Sequence, residues 1–416
     1  MAKLFPLWLV ILFYFSRLAR SSPLAPALYV FGDSLFDSGN NNLLPTLAKA
    51  DYLPYGVNFD QGVTGRFTNG KTVADFIARS SPLAPALYVF GDSLFDSGNN
   101  NLLPTLAKAD YLPYGVNFDQ GVTGRFTNGK TVADFIADYL GLPNPPPYLS
   151  IRGSAAVTGL NYASGSCGIL PETGSQYGKC LNMKDQIDLF EITTTYNTSE
   201  LRRYFKNPQD FSHYLSKSIF IFSVGNNDYI NNYLERQFSI RKNYSPRSFA
   251  QLLVDELAQH FQRLYKLGAR KVIMFELGPL GCLPSITRKR NHGTKCVEEI
   301  NQLASYFNER LPPMLNNLTS TLQGSTFVLG HANWLAYDAI QNPTKYALMD
   351  ARNPCCTTWL NGTSGCIPFL TPCDGTNNHF FWDAYHLTES ACSVIASGCF
   401  NDSSVCSPFI KQLVEI

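Results

Sequence analysis

The chain has 416 residues, 45% hydrophobic and 16% charged, a globular composition with ample apolar material for a core. A formal net charge of +1 argues against nucleic-acid binding, and the one basic run, Arg288-Lys289-Arg290, reads as a solvated turn.

Residues 1–20 read as a secretory signal. Lys3 supplies a positive start, and Leu4–Phe15 is an apolar run of about a dozen residues. A transmembrane helix needs ~20 apolar residues, so no membrane span is expected here or elsewhere. A buried N-terminal helix is the structural alternative.

A 59-residue segment follows twice in tandem, Arg20–Ala78 and Arg79–Ala137, letter for letter. Each copy carries Phe-Gly-Asp-Ser-Leu-Phe-Asp-Ser-Gly-Asn-Asn, which makes Ser34 and Ser93 rival nucleophiles. Two identical strands cannot fill one central slot of a sheet. Only the second copy runs directly into Asp138-Tyr139-Leu140-Gly141-Leu142 and the elements beyond. Using Ser34 would loop out the whole second copy, and compact domains rarely carry such loops. The expectation is therefore an extra copy over 21–78 outside the core fold, a working domain over 79–416, and Ser93 as the active serine.

Within that domain, Ala86–Phe90 reads as a strand that turns at Gly91-Asp92-Ser93. Ser218–Val224 is a second buried strand, ending at Gly225. Pro246 opens a helix whose Phe249, Leu253, Leu257, Phe261 and Leu264 share one face, with Gly268 as its stop. Lys271–Leu277 is a strand. Ile300, Leu303, Phe307 and Leu311 mark another helix, ended by Pro312 and Pro313. Ser325–Leu329 is a further strand. Strands alternating with helices imply an α/β fold with parallel pairing and helices on both faces. Its active site belongs beyond the carboxyl ends of the strands, where Ser93 and Asn227 fall.

Serine ester hydrolysis needs a hydroxyl nucleophile, a base, a carboxylate that orients the base, and donors for the oxyanion. Ser93 suits the first role. Asp383 and His386, three residues apart, share a face if they lie on a helical turn. Oxyanion donors are offered by Asn161-Tyr162-Ala163-Ser164-Gly165, where Gly165 allows close backbone approach, and by the Asn227 amide in Gly225-Asn226-Asn227-Asp228.

Eleven cysteines, crowded toward the C-terminus, point to disulfides in an oxidising compartment. Cys167 with Cys180 and Cys282 with Cys296 are short-loop candidates. The odd count leaves a thiol free or paired outside the chain. No Cys-x-x-Cys pair favours a metal site, and no cofactor motif is present. Acceptor sequences for N-glycans start at Asn197, Asn243, Asn317, Asn361 and Asn401.

From about Ala86 to its C-terminus the chain resembles the plant-type GDSL esterase/lipase family of the SGNH hydrolases. Gly91-Asp92-Ser93-Leu94, Gly165, Gly225-x-Asn227-Asp228 and Asp383-x-x-His386 match the family's four blocks in order. Gly124-Arg125-Phe126-Thr127-Asn128-Gly129 and Gly278-Pro279-Leu280-Gly281-Cys282 resemble its plant branch. Leu387 departs from the proline usual after the histidine.

The resemblance implies a flavodoxin-like three-layer α/β/α fold with a mostly parallel sheet. It implies Ser93 as nucleophile, His386 as base, Asp383 as its orienting partner, and Ser93, Gly165 and Asn227 as the oxyanion hole. No metal or cofactor is implied. The expected protein is a secreted, N-glycosylated hydrolase of small-molecule or lipid acyl esters. Polysaccharide deacetylation, acyl transfer, or a non-catalytic secreted glycoprotein are the alternatives.

Overall fold

The computed structural model describes residues 29–59, 62–77, 82–151, 157–195, 201–235, 240–292 and 295–416. The expected signal segment and the Asn197 acceptor lie outside them. The chain divides into two compact units at Pro82/Leu83.

The second unit holds a four-stranded sheet, β1 Leu87–Gly91, β2 Ile219–Ser223, β3 Lys271–Phe275 and β4 Thr326–Gly330, in the order β1-β2-β3-β4. Every pair is parallel. The extended segment 158–164 runs along the free edge of β1: Leu87 and Val89 donate to Thr158 and Leu160, and Tyr162 and Ser164 donate to Val89 and Gly91. Counted in, it makes the spatial order second-first-third-fourth-fifth. That is the flavodoxin-like winding, with its switch point beside β1, where ligands of such sheets bind.

Strand alternation sorts the core. Tyr88, Phe90, Phe220, Phe222, Val272 and Met274 face one layer, and Leu87, Val89, Ile219, Ile221 and Ile273 face the other. The first layer is aromatic, and Phe90 stacks on Phe222 with centroids 4.7 Å apart. Against the aliphatic face packs α1 Val132–Leu140. Against the aromatic face pack α2 Met183–Thr194, α3 Pro208–Lys217, α4 Pro246–Lys266, α5 Glu298–Asn308 and α6 Leu311–Thr321. After β4, α7 Ala332–Gln341 and α8 Glu389–Asn401 complete the aliphatic side, and the short parallel pair β5 Asp350–Pro354 and β6 His379–Phe381 packs with them in a separate apolar cluster.

The helices begin and end where local chemistry allows. Ser245 caps α4 by accepting from the Ser248 N–H, Pro246 sits in its first turn, and Gly268 follows it at φ +113°. Leu311 corrects the sequence reading: it opens α6 rather than closing α5. Pro312 and Pro313 occupy the first turn of α6, where a missing N–H costs no helical bond. Disulfides join Cys167–Cys180, Cys282–Cys296, Cys355–Cys373, Cys356–Cys366 and Cys399–Cys406, and the leftover thiol is the buried Cys392.

The first unit repeats local features of the second, and none of its described residues lies in a strand. Asn40–Leu43 forms the same 3-10 turn as Asn99–Leu102, and Arg66 pairs with Asp75 as Arg125 does with Asp134. Tyr29–Phe31, whose counterparts Tyr88–Phe90 lie within β1, form no strand and are exposed. Among the described residues, no helix is long and apolar enough to cross a membrane.

Candidate active site

β1 ends at Gly91, in a conformation that only glycine accepts. Its φ is +146°, and a Cβ there would stand 2.1 Å from the Ser223 carbonyl oxygen of β2. The tight closure turns the chain sharply. Asp92 Oδ1 accepts the Leu94 N–H at 3.0 Å, and Phe95 and Asp96 donate back to the Asp92 carbonyl. Ser93 is thereby held at the top of β1, half-buried.

Ser93 Oγ lies 2.8 Å from His386 Nε2. The other ring nitrogen, Nδ1, is 2.7 Å from Asp383 Oδ2 and 2.9 Å from Oδ1. Asp383 and His386 do not sit on a helical turn, as the sequence reading supposed, but on a bend between β6 and α8. Asp383 Oδ1 takes the N–H groups of Tyr385 and His386, each at 2.8 Å, so its carboxylate replaces the helical carbonyl acceptor. Asp383 is fully buried. Burial opposes its charge, but His386, the Tyr114 hydroxyl and the Tyr385 N–H outweigh that and hold its carboxyl below the ordinary range.

Tyr114 carries no role in the sequence reading. Its buried hydroxyl donates to Asp383 Oδ2 at 2.6 Å and accepts the Cys366 N–H at 3.1 Å. Phe126 lies beside the imidazole, centroids 5.0 Å apart. Both residues sit in loops without periodicity. The aromatic content of those loops is the only signal that hints at them.

Asn227 follows β2 and lines the same cavity as Ser93. Its Nδ2 donates to the Cys167 carbonyl at 2.9 Å, and its Oδ1 accepts from Asn231 at 3.0 Å, which fixes the amide's orientation. Gly165 is placed differently from the expectation. It does not line the cavity, and its N–H donates to Asp96 Oδ2 at 3.0 Å. Its lack of a Cβ accommodates Phe126 and Asn100, since a Cβ would lie within 2.9 Å of both. The next residue, Ser166, does line the cavity, at φ +69° and with a buried Oγ that has no hydrogen-bond partner.

Asp96, Asn99 and Asn100 tie the serine turn to this glycine block. Asn99 Nδ2 donates to the Asn161 and Ala163 carbonyls at 2.9 and 2.8 Å, and Asn100 Nδ2 donates to Gly165 O at 2.9 Å. The Asp-Ser-Gly-Asn-Asn that trails Gly-Asp-Ser-Leu is thus a buried clamp.

The cavity has a volume of about 390 Å³. Ser93, Asp92, Asn227 and His386 stand among mostly apolar walls, including Leu106, Phe275, Leu280, Ile340, Phe381 and Ile395. Asp92 is buried, with the Asn226 side chain beside its carboxylate. Desolvation pushes its carboxyl up to about 7, against the pull of the Leu94 N–H and His386. Among the described residues the one gathering of metal-type ligands is Cys355, Cys373 and His379, and both sulfurs are spent in a disulfide.

Residues 87–398 match the family described as GDSL-like lipase/acylhydrolase. The chain belongs to this family. It is 47% identical over 331 residues to GDSL esterase/lipase 7 of Arabidopsis thaliana, covering 78% of this chain and 89% of that protein. It is 40% identical over 337 residues to GDSL esterase/lipase At1g71691 of the same plant, covering 80% and 86%. With the family comes the class, carboxylic-ester hydrolase.

In this GDSL hydrolase the matched region begins at Leu87, inside the second copy. Ser34 is exposed, and no histidine occurs before His213.

Proposed function

We propose that the chain is a secreted serine esterase that cleaves acyl esters with Ser93. His386 Nε2 takes the hydroxyl proton as Ser93 Oγ attacks the carbonyl carbon. Asp383 holds the imidazole in the required tautomer and stabilises its cationic form. The imidazolium then protonates the departing alcohol, and water repeats the sequence on the acyl-enzyme. The oxyanion is met by the Ser93 N–H and by the second hydrogen of Asn227 Nδ2, the first being held by Cys167 O. The Gly165 N–H, the third donor expected from the sequence, is held by Asp96 in the resting enzyme. It joins only by sharing that hydrogen.

The observation that carries this reading is the continuous contact Ser93–His386–Asp383, with no link longer than 2.8 Å. The apolar walls favour a hydrocarbon acyl chain over a sugar. Five disulfides, and exposed acceptors at Asn243, Asn317 and Asn401, support an extracellular, glycosylated product.

The test is hydrolysis of p-nitrophenyl esters of graded chain length. Ser93→Ala should abolish activity and Ser34→Ala should leave it intact. Equal loss in both variants, or loss in neither, refutes the assignment.

A further inference from the structure

Two large apolar side chains are held in solvent by backbone that disfavours them. Leu360 has φ +52° and is 76% exposed; Phe369 has φ +63° and is 78% exposed. Left-handed backbone suits glycine, and bulky residues rarely adopt it without a surrounding constraint. The constraint here is covalent. Leu360 lies inside the loop closed by Cys356–Cys366, and both residues lie inside that closed by Cys355–Cys373.

These loops form one wall of the cavity mouth. Trp359, adjacent to Leu360, lines the cavity and is half-exposed. The Phe369 N–H donates to Leu112 O at 2.8 Å, and Tyr111 Oη donates to Cys366 O at 3.1 Å, which ties the disulfide loops to segment 106–112. Leu106 on that segment also lines the cavity and is 83% exposed. Apolar side chains thus continue from the cavity lining outward onto the surface. An exposed patch of this kind marks an interaction site.

We infer that this rim, centred on Leu106, Trp359, Leu360 and Phe369, docks the enzyme onto an uncharged, ester-bearing lipid surface. The inference rests on the acyl-ester reading above and deepens it. The occupant follows from continuity: a surface seated on the rim presents its esters directly to the opening above Ser93. The flanking charges are of both signs, with Lys108 near Asp110, so the rim offers no basic cluster to select anionic headgroups. Insertion of the apolar side chains supplies the affinity.

The test is flotation with a triacylglycerol emulsion coated with phosphatidylcholine. Ser93→Ala protein is used, so that binding is read without hydrolysis. It should float with the droplets, and adding an anionic lipid should not increase the bound fraction. Leu360→Gly combined with Phe369→Gly removes both side chains and suits the left-handed backbone, so the fold is kept. That combination should lower binding by about tenfold or more. With Ser93 intact, it should hydrolyse a soluble short-chain ester at the parent rate and lose activity on the emulsion. Met349→Ser, at an exposed apolar residue outside the cavity lining, should change neither.

Undiminished flotation of the double-glycine protein overturns the inference. So does a dimer of the free protein that the same substitutions dissolve, if the droplets are not bound. Binding by an enzyme that proves inactive on every ester would sink the esterase reading and leave the docking face standing.

Discussion

The Tyr114 hydroxyl reaches Asp383 Oδ2 across 2.6 Å, although the two residues are 269 positions apart in the chain. It gives the carboxylate a second donor opposite His386, and the Cys366 N–H holds the hydroxyl in place. Tyr114 therefore positions Asp383.

Tyr114→Phe removes that donor while keeping the ring. The negative charge of Asp383 then falls more fully on His386 and favours the cationic ring. The acid limb of kcat/KM against pH should move to higher pH. With one donor fewer, the carboxylate holds the imidazole less firmly in place, so kcat should fall; a hydrogen bond to a charged group contributes about 1.5–3 kcal/mol, which caps the fall at roughly a hundredfold. Asp92 and Tyr385 also line this cavity and lose no partner in the substitution. A profile that superimposes on that of the parent would show that Tyr114 only fills space.

Asp92 makes stability fall with rising pH. Its folded carboxyl is raised to about 7 from the usual 3.8, so the native state holds its proton more tightly than the unfolded chain does. The associated stability is fully present below about pH 4 and is lost as pH rises through 7. The upper limit is on the order of 4 kcal/mol. Urea unfolding at pH 5 and pH 8 should show a smaller loss between the two for Asp92→Asn than for the parent. An equal loss in both proteins counts against it.

The repeated ion pair provides an internal control. Arg125 and Asp134 are 5% and 3% exposed, and Arg66 and Asp75, the same residues in the first copy, are 13% and 24% exposed. Arg125→Ala strands a buried carboxylate and should cost about 3–5 kcal/mol. Arg66→Ala should leave the unfolding of the catalytic unit unchanged. Unfolding followed by loss of esterase activity measures both, and matching effects would contradict the assignment of the second copy to the enzyme.

Deletion of residues 20–78 joins Ala19 to Arg79 and leaves one copy. kcat/KM should remain within about twofold, because remote groups do not alter the transition state unless they touch it or its supports. The first copy exposes Tyr29, Phe31, Leu35, Leu43 and Leu47, so the deleted protein should also self-associate less. Light scattering and a soluble-ester assay check the two halves. An inactive deletion product would return Ser34 to consideration.

Much of the site was legible because its chemistry is written in short motifs. Ser93, Asp383 and His386 announce themselves by type and setting, and the structure brings them together. Strand and helix periods placed the sheet, with shifts of one or two residues at strand ends. Tyr114 was not legible, since a tyrosine in an aperiodic loop carries no mark of the carboxylate it will meet. The destination of the Gly165 N–H was hidden for the same reason, since its acceptor, Asp96, comes from another loop.

The tandem copies separate what sequence determined from what tertiary structure decided. Identical residues build the same 3-10 turn and the same Arg–Asp pair twice, because those bonds close over short stretches of chain. Residues 88–90 lie in a strand and 29–31 do not: a strand's backbone needs a neighbour, and residues 88–90 find theirs in β2. The serines diverge likewise: Ser93 meets the imidazole of a residue 293 positions away, whereas Ser34 stands exposed. Local bonds follow from the letters alone, but a ladder or a catalytic contact exists only where distant segments are packed side by side.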